Sequence, residues 1–149
     1  MAVLDREDSL FQGRLDLERI GVFGGSSGGM VIETARAESR VKCAAIWEGE
    51  AIAWDPTGLQ KPFLAAAEQF GVSEALSLFN KATTNAVFLQ VRGAHHTTAG
   101  DPVWLYQVPW GGKPALAFNA CLLWFFDTYL KGETLPFPAN PEIYNVHRK

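Results

Sequence analysis

Cysteine is scarce in this 149-residue chain: the two present, Cys43 and Cys121, lie far apart and in no metal-ligand spacing. That excludes a disulfide framework and a cysteine-built zinc site. Burial as free thiols is the expectation for both. Charge of one sign is lacking as well. Thirteen Lys and Arg against 16 Asp and Glu leave a net charge of −3 at pH 7, with the basic residues scattered along the chain. Neither nucleic acid nor an anionic membrane surface is therefore expected as the main partner. Long hydrophobic runs are missing. The longest, Ala120-Cys121-Leu122-Leu123-Trp124-Phe125-Phe126, is far short of the roughly 20 residues that span a bilayer. Near the N-terminus, Asp5, Arg6, Glu7 and Asp8 interrupt the stretch where a secretory signal would be apolar. No membrane span is expected, and a cytoplasmic location is the default. Repeats, linkers and low-complexity stretches are also lacking, and 48% hydrophobic with 19% charged residues is a globular composition. The chain reads as a single domain, 1–149, able to bury about 70% of the surface its unfolded form exposes.

What is present is a repeated change of period, from short apolar runs to helical spacing and back. This is the signature of a mostly parallel sheet with helical crossovers. Residues Leu17 to Phe23 are expected as a first strand, Gly28 to Ala37 as a helix, and Val41 to Trp47 as a second strand. A third strand is expected from Lys61 to Ala66, opened by Pro62, then a helix from Val72 to Phe79 and a fourth strand from Ala86 to Val91. The clearest element is a long helix from Pro114, a residue tolerated in a first turn, to Lys131, with Gly132 where a helix end favours glycine. On it Leu116, Ala120, Leu123, Phe126 and Leu130 form a stripe expected to be core. The proline-bearing tail after Gly132 is expected to be an extended surface strap.

Gly24-Gly25-Ser26-Ser27-Gly28-Gly29 follows a strand and precedes a helical pattern. That context marks a Gly-x-Ser-x-Gly nucleophile elbow. A serine projecting its hydroxyl out of a strand-to-helix turn must hold a strained backbone conformation, and small neighbours let the strand and helix approach closely enough to allow it. The helix N-terminus then favours developing negative charge, with the amide of Ser27 as the natural first oxyanion donor. A phosphate-binding loop would need Lys then Ser or Thr where Met30-Val31 stand, and the dinucleotide fingerprint fails because Ser26 takes the place of its second glycine. An ordinary glycine-rich turn remains an alternative.

A serine hydroxyl needs a base within reach, itself oriented by an acid. Of three histidines, His147 falls in the tail and reads as a solvated surface residue, while His95 and His96 follow the fourth strand, where active sites of open α/β sheets collect. For the acid, Glu48 stands just past the second strand, with Glu50 and Asp55 as alternatives. The chain order Ser, acid, His is that of the α/β-hydrolase class. Trp47, Trp54, Trp104 and Trp110 stand near these loops and either line a cleft or pack the core.

The stretch from Leu15 to Gly29, with its Gly21-Val22-Phe23-Gly24-Gly25-Ser26-Ser27-Gly28-Gly29 core, resembles the elbow of the platelet-activating-factor acetylhydrolase type II group and its bacterial α/β-hydrolase relatives, dienelactone-hydrolase-like esterases among them. The resemblance continues through Arg40 to Gly49, Lys61-Pro62-Phe63-Leu64, Gly93-Ala94-His95-His96 and Phe125 to Glu133. It implies the C-terminal half of an α/β-hydrolase fold, about four mostly parallel strands with flanking helices. It also implies Ser26 as nucleophile, Glu48 as the acid and His96, rather than His95, as the base. Carboxylic esters with short acyl chains are the implied substrates, hydrolysed through an acyl-enzyme, and no cofactor or metal is implied.

Three departures from that pattern stand out. Gly25 replaces the usual histidine within the elbow, and Glu48 replaces aspartate. The third is length: family members carry roughly another hundred residues before the elbow, a span of domain size, including the loop that supplies a second oxyanion N–H. A truncated domain is the expectation, with the elbow strand left unpaired on one side and an apolar face uncovered. Self-association into a homo-oligomer through that edge follows, and a catalytically impaired remnant is the alternative to an active esterase.

Overall fold

The computed structural model describes residues 6, 8–48, 56–99 and 112–149. Five strands form one sheet in sequence order: β1 (Ile20–Gly25), β2 (Val41–Trp47), β3 (Phe63–Ala67), β4 (Ala86–Val91) and β5 (Ile143–Arg148). The pairs β1 with β2, β2 with β3, and β3 with β4 are parallel, while β5 runs antiparallel to β4. Among the described residues three helices cover it: α1 (Val31–Ala37), α2 (Val72–Lys81) and α3 (Gly112–Lys131).

Near-continuous burial of β2, β3 and β4 explains their unbroken apolar composition, since a parallel sheet is covered on both faces. Strand periodicity then sorts the side chains into two cores. Ala44, Ile46, Phe63, Ala65 and Phe88 pack with Ile32 and Ala35 of α1 and Ala75, Leu78 and Phe79 of α2. Cys43, Ala45, Trp47, Leu64, Leu89 and Val91 point the other way, onto Ala117, Phe118, Cys121, Trp124 and Phe125 of α3. Both cysteines are buried free thiols.

Several expectations shift. The first strand starts and ends later than Leu17 to Phe23, because it runs on through Gly24 and Gly25, which pair with Ile46 and Trp47. The following helix does not begin at Gly28: a 3-10 turn spans Ser26–Met30 before α1 starts.

The stripe on α3 is corrected more deeply. Leu116 and Leu123 are 68% and 63% exposed, and the face laid on the sheet is the one carrying Ala117, Phe118, Cys121, Trp124 and Phe125. Apolar residues occur all round this helix, so periodicity alone did not select which stripe faces inward. Phe126 and Leu130, at the flank, lie over Gly21 of β1, where an added Cβ would come within 2.6 Å of the Phe126 ring. Phe23 also packs on Phe118, ring centroids 5.7 Å apart. The expected bare face of β1 is thus covered from this chain, while its outer edge has no strand beside it among the described residues.

The tail is a strap only to Asn140. Beyond it β5 adds to the sheet, with Asn145 held at φ 50° and its amide donating to Gln90 at 2.9 Å. His147, exposed as expected, lies in this strand with its ring 5.6 Å from Phe88. Among the described residues no helix is long and apolar enough to cross a membrane.

Candidate functional site

The parallel strands all deliver their C-terminal ends to one rim of the sheet, where open α/β folds collect functional groups. Ser26 follows β1, Glu48 follows β2, Glu68 follows β3, and His96 stands five residues past β4 at the head of a 3-10 turn, His96–Ala99.

Ser26 holds φ 52°, in the left-handed region that L-residues with side chains rarely occupy. The turn forms because Gly24 permits a close approach: a Cβ there would meet the Gly28 carbonyl oxygen at 1.9 Å. Gly28 itself faces open space at its Cβ position, and Gly25 would meet only ordinary contacts with Trp47 at 3.7 Å and beyond. Of the two glycines that bracket the motif, Gly24 is therefore sterically required and Gly28 is not. A side chain at position 25 would meet no close contact at its Cβ.

Glu48 shares the strained conformation, at φ 48°. Among the described residues these two and Asn145 are the non-glycine positions with positive φ. The Glu48 side chain is 6% exposed. Its Oε1 accepts the backbone N–H of Glu68 at 3.0 Å, and Oε2 lies 2.5 Å from Nδ1 of His96. A carboxylate on Nδ1 fixes the imidazole with its proton on that nitrogen and leaves Nε2 as the acceptor. Gly71 lies against the carboxylate, where a Cβ would stand 3.4 Å from its carbon.

The loop carrying His96 is tied internally: His95 N–H donates to Thr98 Oγ1 at 2.7 Å, and Thr98 N–H returns to the His95 carbonyl at 2.8 Å. Of the two histidines it is His96 whose ring meets the acid. Its outer side remains 56% exposed.

Ser26 and His96 line one cleft of about 290 Å³ together with Phe23, Gly25, Trp47, Thr97 and Ala99. A second cleft of about 300 Å³ opens across the Glu48–His96 pair and is bounded by Glu68, Phe70, Gly71 and Glu74. Trp47 is the one of the four candidate cleft tryptophans that lies in the described residues; Trp54, Trp104 and Trp110, and the alternative acids Glu50 and Asp55, lie outside them. No cluster of three metal-ligating side chains occurs among the described residues.

Glu68, Thr98 and Gly71 were not singled out by sequence. The position of Glu68, first after an apolar strand, was the available signal; the contacts of Thr98 and Gly71 depend on loop packing that no local pattern encodes.

No protein-family model matches the chain, and a search of curated proteins returns no match. Among solved structures 107 chains match, so the architecture is well populated and does not by itself choose a chemistry. One of them is a ferulic acid esterase from Streptomyces cinnamoneus, with a TM-score of 0.76 at 25% sequence identity. The match takes in 96% of this chain and 51% of that one, so this chain spans about half the length of the esterase it resembles. Over nearly all of its length the chain resembles this α/β-hydrolase-type esterase in fold.

Proposed function

We propose that this protein is a serine hydrolase acting on carboxylic esters, with Ser26 as nucleophile, His96 as general base and Glu48 as the group that orients it. The observation that carries this reading is the 2.5 Å contact between Glu48 Oε2 and Nδ1 of His96, the residue that lines one cleft with Ser26. Glu48 accepts a hydrogen bond from Nδ1–H, so Nε2 takes the Ser26 proton as Oγ attacks the ester carbonyl and Glu48 stabilises the imidazolium that forms. The tetrahedral oxyanion forms beside the N-terminus of the 3-10 turn, where the Ser27 amide is the first donor. Collapse expels the alcohol, which takes the proton back from His96 and leaves an acyl-enzyme. Water activated by His96 then releases the acid.

A cleft of about 290 Å³ lined by Phe23 and Trp47 is at the small end of ligand sites. That supports short acyl groups, and its aromatic walls also suit a compact aryl acyl group such as the one named for the ferulic acid esterase. A small-molecule ester is the partner this reading requires.

Fluorophosphonate labelling tests the proposal. Wild type should label covalently at Ser26, labelling should vanish in Ser26→Ala, and hydrolysis of p-nitrophenyl acetate should fall on the order of 10⁴-fold in His96→Ala. A folded wild-type protein that neither labels nor hydrolyses the ester would sink it. In that case the second reading, a hydrolase remnant acting as a self-associating module, takes over. It is favoured by one observation, the position of β1 at the sheet edge among the described residues.

A further inference from the structure

We infer that Trp47 is the positioning residue for the base, its indole N–H pinning the main chain of His96 while the next residue, Glu48, holds the ring. The inference rests on the proposed roles of Ser26, Glu48 and His96.

The indole Nε1 donates to the His96 carbonyl at 2.9 Å, across 49 positions of sequence. This is the donor's own requirement as much as the acceptor's. Trp47 is 1% exposed, and a buried indole N–H, which can only donate, must find an acceptor.

Trp47 is well placed to serve as a fixed post. It ends β2 between two neighbours, paired with Gly25 of β1 and Ala66 of β3. Its ring packs on Phe118 of α3, centroids 4.8 Å apart. Gly25 immediately precedes Ser26, so one residue of the sheet is joined to all three groups: to the serine through strand pairing, to the acid through the chain, and to the histidine through the indole. His96 itself belongs to no strand or long helix, and its loop is tied locally through His95 and Thr98. It lies in a four-residue 3-10 turn with its ring more than half exposed. Two tethers at different atoms, Nδ1 and the main-chain oxygen, restrict both the rotation of the ring and the travel of the backbone that carries it. A base that must meet Oγ at hydrogen-bond distance needs both.

The test replaces Trp47 with 3-benzothienylalanine, which keeps the size and shape of the indole and deletes the N–H, alongside Trp47→Phe. The expected result is a fall in kcat of about 10- to 100-fold for p-nitrophenyl acetate, from displacement of the base by a fraction of an ångström to an ångström. KM and melting temperature should stay near wild type in the benzothienyl variant. In the same variant the His96 Nδ1 proton resonance should broaden through faster exchange with water. Unchanged kcat with an unchanged Nδ1 resonance overturns the inference, as does a loss confined to melting temperature. The proton resonance reads the positioning role without turnover, so an inactive wild type counts against the proposed hydrolase, while the resonance still decides whether Trp47 holds His96.

Discussion

Backbone strain at single residues usually costs about 1 to 3 kcal/mol, and in this protein it falls on Ser26 and Glu48, each just beyond a parallel strand. Gly24 is what makes the first of these possible. Gly24→Ala drives a methyl into the Gly28 carbonyl, which is backbone and has no flexible end to yield. It should destabilise by about 1 to 3 kcal/mol or more, whereas Gly25→Ala, in extended backbone at φ −109°, should change stability by less than about 0.5 kcal/mol. Urea denaturation of the two variants separates them. The cysteines give a second check at this scale. Burial pushes both thiols up to about 12, so neither forms the reactive thiolate near neutral pH. Ellman's reagent at pH 8 should leave the native protein unmodified and titrate both thiols only after unfolding.

Among the elements, α3 shows how far pattern reaches. Its start near Pro114 and its end at Gly132, which adopts φ 72°, follow from residue chemistry. Which side is buried does not, because Leu116 and Leu123 are as apolar as the residues that face the sheet. Phe125→Ala, in the core, should cost about 3 to 5 kcal/mol, while Leu116→Gln and Leu123→Gln together should cost little, since both side chains are already in water. Thermal denaturation distinguishes the two sets, and a large loss from the leucine pair would show that their exposed face is covered in solution. The tail offers the complementary lesson. Its prolines suggested a strap, but β5 beyond them completes the sheet against β4, pairing Arg148 with Val87 and Ile143 with Val91. The short run Ile143–Arg148 carries no strand signal strong enough to outweigh the prolines before it.

For the whole molecule, the expectation of association is set by β1. Its faces are covered by α3 and by the core beside α1, yet its outer edge has no strand beside it among the described residues. Such an edge is a template for pairing with another strand. Size-exclusion chromatography with light scattering should find a dimer or larger assembly, and a stable monomer at high concentration would count against edge pairing.

The sequence by itself determined the α/β class, the strand-to-helix turn at Ser26, the placing of Glu48 and His96 beyond later strands, and the boundaries of β2 and β4. These are local matters of period, turn chemistry and strand composition. Only the tertiary structure decided that the Trp47 indole ties to the His96 carbonyl, that Gly24 and not Gly28 is sterically required, which stripe of α3 is core, and that the tail returns as β5. Each of those depends on contacts between residues far apart in the chain, where several positions of similar chemistry compete and only packing selects among them.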